Sequence, residues 1–371
     1  MKVPLLDLHA SYPQYREELL AEITRIFDEQ DFILGPRVRA AEEALAVYAG
    51  TEHAVGVASG TDALLLGLRA LDVGRGDEVV TTPFTFFATA GAIANAGARP
   101  VFADIDPRTY NIDPDALEAA IGERTRAVIP VHLYGQCADM DRIVPFARSK
   151  ALSVLEDAAQ SLAAEWRGTR PGSLGHLAAV SFYPSKNLGG AGDGGVVLTS
   201  DEELAMRVRA LRTHGGLARY RHEEVGTNSR LDVIQAAVVH VKLRYLDEWT
   251  AGRRRNAARY DAAFADLDEV VTPVVAEGAF HCYNQYVIRV PRRDELRAHL
   301  ADRGIGSAIY YPIPLHRQPC FASLGYVEGD FPESERASRE TLSIPVYGEL
   351  PEAAFEHVVR SIREFFGAAD A

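Results

Sequence analysis

"AVGVASGTDALLLGLRAL" (residues 54–71) joins a short apolar run to a helical pattern through a Ser-Gly-Thr turn. An apolar run this short, with no polar alternation, reads as a strand covered on both faces. The leucines that follow recur with helical spacing. The same unit repeats outward along the chain. "DEVVTT" (77–82) precedes "FTFFATAGAIANAG" (84–97), and "RPVFADID" (99–106) precedes "PDALEAAIG" (114–122). "RAVIPVH" (126–132) is followed by "MDRIVPFARSK" (140–150), and then come "LSVLEDAAQ" (152–160) and "LAAVSFY" (177–183). This alternation predicts an α/β fold with a mostly parallel sheet and helices on both faces.

The pattern changes near residue 250. "YNQYVIRV" (283–290), "RDELRAHLADRG" (293–304) and the helical "PEAAFEHVVRSIREFF" (351–366) predict a smaller α+β domain. The expected division is therefore a large α/β domain over 1–250 and a small C-terminal domain over 251–371. The basic "GRRRNAARY" (252–260) reads as a solvated helix face. With 371 residues, 47% of them hydrophobic, the chain can build both cores. Its formal charge of −13 disfavours nucleic acid and anionic membrane as partners. Cys137, Cys282 and Cys320 are far apart, form no CxxC pair, and suit packed, reduced thiols rather than a metal site. No apolar signal core opens the chain, and no stretch nears the ~20 apolar residues of a membrane helix. A cytoplasmic, soluble protein is expected.

Chemistry concentrates at two places. "SFYPSKNLGGAGDGG" (181–195) sets Lys186 beside an apolar run and a glycine-rich loop. A lysine is costly to bury unless it is paired, deprotonated or bonded. The loop contains a formal GxGxxG, but its glycines run into the β-like "VVLTS" instead of opening a helix, which excludes a dinucleotide fingerprint. Asp157, in "LEDAAQS" (155–161), ends a buried strand, at the edge where open α/β sheets bind ligands. Lys186 follows the next strand, so adjacent parallel strands would bring the pair together. Ser59-Gly60-Thr61 is accounted for by an ordinary N-cap, and it also suits an anion. A lysine, a carboxylate and a helix N-terminus together fit pyridoxal phosphate (PLP), with the lysine as imine and the carboxylate on the pyridinium nitrogen. Phe86 could stack on such a ring or fill the core.

These motifs, with "FILGPRV", "PVFADIDPRTYNIDP", "VHLYGQCADMD" and "GTNSRLDVIQAA", resemble the PLP-dependent nucleotide-sugar aminotransferases of fold type I, the DegT-like family. The resemblance runs in order from "VPLLDL" to "TLSIPVY". It implies an aspartate-aminotransferase-like fold with a large PLP-binding domain. Lys186 is then the Schiff-base lysine, Asp157 holds the pyridinium nitrogen, and Gln160 reaches the ring hydroxyl. Ser181, Gly60, Thr61 and the amide of Asp62 are expected at the phosphate, with Phe86 stacked on the ring. Asn228 is expected to serve the cofactor of the other subunit in a closed homodimer with shared active sites.

Relatives that aminate C4 commonly carry histidine where this chain has Tyr183. "YYPIPLHRQ" (310–318) is more similar to relatives acting on 3-oxo sugars. Tyr183, Tyr311 and His316 become candidate substrate contacts, the alternative for Tyr311 and His316 being a proline-rigid turn of packed aromatics. The leading expectation is amination of a nucleotide-linked 3-oxo-6-deoxyhexose, with a dTDP sugar favoured and L-glutamate as donor. A UDP-linked 3-oxo uronic acid, a 4-oxo nucleotide sugar and a cyclitol ketone are alternatives. A PLP-bound regulatory protein also stays open. A sugar dehydratase of this scaffold replaces the Schiff-base lysine, and Lys186 argues against it.

Overall fold

The computed structural model describes residues 1–367; the end of the expected small domain, 368–371, lies outside the described residues. Helices α1 (Leu8–Glu29) and α2 (Pro36–Ala49) open the chain. They are followed by β1 (His53–Val57), α3 (Gly60–Ala70), β2 (Glu78–Thr81), α4 (Ala88–Asn95) and β3 (Arg99–Phe102). Next come α5 (Pro114–Ala120), β4 (Thr125–Val128), α6 (Met140–Ser149) and β5 (Ser153–Asp157). A two-residue β6 (Glu165–Trp166) precedes β7 (Leu177–Ser181), β8 (Gly195–Thr199) and α7 (Glu202–Leu211).

The seven longer strands form one sheet in the order β1-β8-β7-β5-β4-β2-β3. From β7 to β3 all neighbours are parallel, whereas β8 runs antiparallel to both β1 and β7. Strand periodicity sends alternate residues to opposite faces. Val154, Val196 and Leu198 pack with residues of α2, α6 and the helix after α7, while Leu155 and Val197 pack with α3, α4 and α7. Burial on both faces is why these strands read as unbroken apolar runs.

The topology puts the chemistry at one edge. β1, β5 and β7 end there, and β8 starts there, with Gly195 paired to both Val57 and Ser181. The connection from Ser181 to Gly195 must turn at that edge, and it carries Lys186. Two glycines let the first turn of α3 settle onto the strand ends. A Cβ on Gly60 would lie 2.6 Å from the Ser181 Cβ, and one on Gly195 would lie 2.6 Å from the Ser59 carbonyl.

Helices α8 (Val233–Leu243) and α9 (Leu246–Ala263) then lead to a second group of elements. A two-residue β9 (Ala279–Phe280) pairs with β6, and β10 (Tyr286–Arg289), α10 (Arg293–Asp302), α11 (Pro332–Glu340), β11 (Thr341–Ile344) and α12 (Glu352–Phe365) complete the chain. β10 and β11 pair antiparallel over a core built on Tyr260, Phe264, Tyr286 and Phe355. Helix α9 passes position 250 without a break, so the helix is common to both groups.

The basic run on α9 is not the solvated face expected. Arg253 is buried, donating to the carbonyls of Tyr283 (3.1 Å) and Asn284 (3.3 Å), and only Arg255 is exposed. Helical period explains the difference, because α9 lies between two packed layers and successive arginines point in different directions. Cys137 and Cys282 are buried as expected, but Cys320 is exposed. Among the described residues no helix is long and apolar enough to cross a membrane, and no group of three metal-ligating side chains occurs.

Candidate active site

A cavity of about 670 Å³ opens at the strand edge. The first turn of α3, the ends of β5 and β7, the Lys186 loop and the segment 309–311 wall it. Of the expected residues, Gly60, Thr61, Phe86, Asp157, Gln160, Ser181, Tyr183, Lys186 and Tyr311 all line it.

Asp157 ends β5 and is buried. Its two oxygens accept from the Thr89 hydroxyl (2.7 Å) and the Ala159 amide (3.2 Å). Burial pushes the carboxyl above its ordinary range, and these two hydrogen bonds pull only part of the way back. Among the described residues, no cation comes within salt-bridge distance of it. Lys186 acts on it at longer range. Burial lowers the Lys186 ammonium to about 8, with the Asp157 charge opposing that shift. The cavity therefore holds an amine close to its titration point, facing a carboxylate with no cation in contact.

At the helix end, Ser59 caps α3 by accepting from the Asp62 amide at 3.1 Å. That amide is committed to the cap, unlike the phosphate role expected for it. The amides of Gly60 and Thr61 open the same helix beside Ser181, where the dipole favours an anion.

Gln160 is already engaged. Its oxygen accepts from the Tyr134 amide (2.7 Å), and its amide donates to the Tyr311 hydroxyl (3.0 Å). Tyr134 also donates its hydroxyl to the Tyr310 carbonyl. This chain of contacts fastens the 309–311 segment over the sheet edge. Phe86 stands just before α4, 56% exposed, its ring 6.0 Å from that of Tyr311. A large apolar ring exposed inside a cavity leaves a face for a ligand. Tyr183 is equally exposed.

Two expected residues lie elsewhere. His316 does not reach the cavity wall: it is buried, bonded through Nε2 to Glu335 (3.1 Å), and packed edge-on against Phe331. The turn of packed aromatics describes it better than a sugar contact. Asn228 is exposed, bridged to Thr213, and does not line this chain's cavity.

Other residues of the site escaped the sequence reading. His132 lines the cavity; its Nδ1 accepts from the Ala138 amide (3.1 Å), so Nε2 carries the proton toward Glu156 (2.8 Å). Glu156 also accepts from the amides of Gly172 and Gly175, tying that turn beneath the site. The place of His132 at the end of "RAVIPVH" was a usable signal, since every such strand end reaches the same edge. Asp193 sits in the same glycine-rich loop as Lys186, whereas Thr89 and Gln285 had no signal, because only tertiary placement brings them there.

A profile of the DegT/DnrJ/EryC1/StrS aminotransferase family matches residues 13–363. The chain is 50% identical, over 99% of both lengths, to a pleiotropic regulatory protein of Geobacillus stearothermophilus. It is 43% identical, over 100% of this chain and 97% of the other, to dTDP-3-amino-3,4,6-trideoxy-alpha-D-glucose transaminase of Streptomyces venezuelae. Identity is 44%, over 97% of each, to UDP-N-acetyl-3-dehydro-alpha-D-glucosamine 3-aminotransferase of Acidithiobacillus ferrooxidans. The solved structure of S. venezuelae DesV superposes with a TM-score of 0.97 at 43% identity, covering all of both chains.

The lowered Lys186 ammonium has a measurable consequence. Only the neutral amine attacks an aldehyde, so in the PLP-free protein the rate of PLP uptake at Lys186 is expected to rise with pH through a midpoint near 8. The readout is PLP fixed by borohydride at each pH; a midpoint at the ordinary 10.5 would contradict the environment described.

Proposed function

With the chain a member of the DegT/DnrJ/EryC1/StrS aminotransferase family, and so a PLP-dependent sugar aminotransferase, we propose that it aminates C3 of a nucleotide-linked 3-oxo-6-deoxyhexose. A dTDP sugar is the favoured substrate and L-glutamate the donor. The observation that carries the reading is the buried Asp157 facing the cavity without a cation in contact, opposite a Lys186 amine lowered to about 8.

The donor set suits PLP. A buried carboxylate gains from a protonated ring nitrogen beside it, since that cation offsets the desolvation now raising its pKa. The amides of Gly60 and Thr61, with the Ser181 hydroxyl, suit the phosphate, and Phe86 offers a ring face. When bound, PLP supplies an aldehyde that takes up the donor's nitrogen and a ring that delocalises the electrons left when the Cα proton departs. Asp157 keeps the proton on the ring nitrogen, and Thr89 and the Ala159 amide hold its orientation. Lys186 holds the cofactor covalently at rest. Once freed by the donor, its amine would be the group placed to take the proton from the donor's Cα and to return it on the cofactor side. An amine near neutrality serves both directions of that transfer. Tyr310 and Tyr311, fastened by Tyr134 and Gln160, cover the cavity and limit water.

The substrate reading draws on the transaminase relatives, whose names carry a dTDP sugar in one case and a UDP sugar in the other. Tyr183 and Tyr311 are the proposed sugar contacts; His316 supports the turn that carries Tyr311. A UDP-linked 3-oxo sugar is the second reading, favoured by the Acidithiobacillus relative. The name of the Geobacillus relative keeps a regulatory role in view, and half-reaction turnover with glutamate separates the two.

Charge supports a homodimer with shared sites. Among the described residues, Lys186 is the only lysine or arginine lining the cavity, which also carries Asp157 and Asp193. A cofactor phosphate and a sugar-linked diphosphate need further cations. The segment 214–230 carries Arg219 and Arg221 together with exposed Leu217, Tyr220 and Val225, a surface suited to a second copy. Asn228 is the residue proposed to reach the neighbouring cofactor. A division into two domains and a cytoplasmic location belong to the same proposal; two apolar cores support two domains, while α9 runs through 250 and Val3 packs into the second core, so the boundary is not a clean cut at 250/251.

Enzyme loaded with pyridoxamine phosphate, mixed with a panel of nucleotide sugars, is expected to return to the pyridoxal form much faster with 3-oxo than with 4-oxo compounds. Faster turnover of the 4-oxo set would overturn the regiochemistry and leave the aminotransferase in place. Mixing Lys186→Ala with Asn228→Asp, each nearly inactive alone, is expected to restore activity, because one site of the mixed dimer keeps both residues. No recovery in proven heterodimers means that Asn228 serves its own chain.

A further inference from the structure

Lys186 is not the only lysine near the glycine-rich loop whose ammonium is lowered by its surroundings. Lys242, on α8, is 7% exposed, and burial alone lowers its ammonium to about 8. Among the described residues no carboxylate pairs with it. Its Nζ donates to the Gly189 carbonyl and lies 5.6 Å from the ring centre of Tyr15 on α1 and 5.8 Å from that of Trp249 on α9. Those rings meet edge to face at 5.9 Å, so cation–π attraction replaces the missing counter-ion. An ammonium desolvated to this degree, for one carbonyl and two rings, is a costly arrangement if packing were all that it served.

The carbonyl it grips is three residues beyond Lys186. The loop there is wound tightly, with the Lys186 amide bonded to the Tyr183 carbonyl (2.8 Å) and the Gly190 amide to the Phe182 carbonyl (2.7 Å). A Cβ on Gly189 would lie 2.3 Å from the Pro184 carbonyl oxygen. Such a turn is shaped by its own backbone but needs an anchor to fix it against the fold. Helix α8 supplies two. Gln235 accepts from the Ala191 amide (2.8 Å), and Lys242, two helical turns later on the same face, donates to the Gly189 carbonyl. The first anchor is neutral, whereas the second is charge-assisted and correspondingly stronger.

We infer that Lys242 is a positioning residue that, through the Gly189 carbonyl, holds the loop presenting the Lys186 amine to the cavity, with Tyr15 and Trp249 closing over it. The inference rests on Lys186 being the amine that bonds PLP. It adds a dependence of that amine's placement on helices α1, α8 and α9, whose residues 15, 242 and 249 do not line the cavity.

The test compares full-length wild type with Lys242→Met, which keeps the stem and removes the charge, and with Lys242→Arg, which restores a donor. Amide hydrogen exchange over 184–192 is measured with and without PLP, with 341–344 in β11 as the remote control. Lys242→Met is expected to exchange about tenfold faster over 184–192 with 341–344 unchanged. The visible circular dichroism of its bound PLP is expected to change, and Lys242→Arg to recover part of both signals. Wild-type exchange over 184–192 in Lys242→Met overturns the inference. So does equal loss of protection at 341–344, which would make Lys242 a support of the whole fold; should the methionine variant not fold, Lys242→Gln is judged by the same two segments. Peptide mapping of borohydride-fixed PLP on wild type separates the two claims. PLP on another lysine sinks the reading of Lys186, whereas PLP on Lys186 with unchanged exchange sinks only the role of Lys242.

Discussion

The approach of the α3 N-terminus to the ends of β7 and β8 is the contact on which the site depends. Gly195 packs against the Ser59 carbonyl and Gly60 against Ser181, both too closely for a side chain. This contact brings a helix dipole, the end of β7 and the start of β8 into one corner. Because β8 returns antiparallel between β1 and β7, the connecting loop cannot leave the edge, and Lys186 is delivered beside Asp157. A residue larger than glycine at either point would lift the helix and open the corner. Overpacking of that kind generally costs about 1–3 kcal/mol, and here the loss falls on the site first.

Charge burial is the second theme. Asp157, Lys242 and Arg253 are buried and Lys186 partly so, and none has an opposite charge in contact among the described residues. Each is compensated differently. Arg253 donates to turn carbonyls, Lys242 donates to one carbonyl beneath two rings, and Asp157 accepts from a hydroxyl and an amide. Lys186 has the least, and burial lowers its ammonium to about 8, as it does that of Lys242. A fold that only had to be stable would place neutral groups at 157 and 186; on the proposed reading, PLP would supply the charge and the bond that the pair lacks.

Much of this was legible beforehand. The strand–helix alternation, the edge position of Asp157 and the adjacency of the two strands followed from apolar runs and chain order, because parallel pairing leaves few other arrangements. The resemblance to sugar aminotransferases supplied roles that spacing alone could not. What escaped the sequence were contacts made across the fold. Thr89 meets Asp157 only because α4 starts late, at Ala88, and Arg253 is buried because α9 lies between two cores. His316 looked like a pocket residue from its motif, yet a neighbouring glutamate and a phenylalanine hold it behind the turn. The glycines of the Lys186 loop serve in part the winding of the loop itself, as Gly189 does against Pro184.

The assignment of Lys186 is the claim from which the rest of the functional account follows. Reducing the PLP-loaded protein with borohydride and sequencing the labelled peptide tests it directly. The account predicts one modified peptide, spanning 181–195, with the cofactor on Lys186; label on Lys150 or Lys242 instead would contradict it.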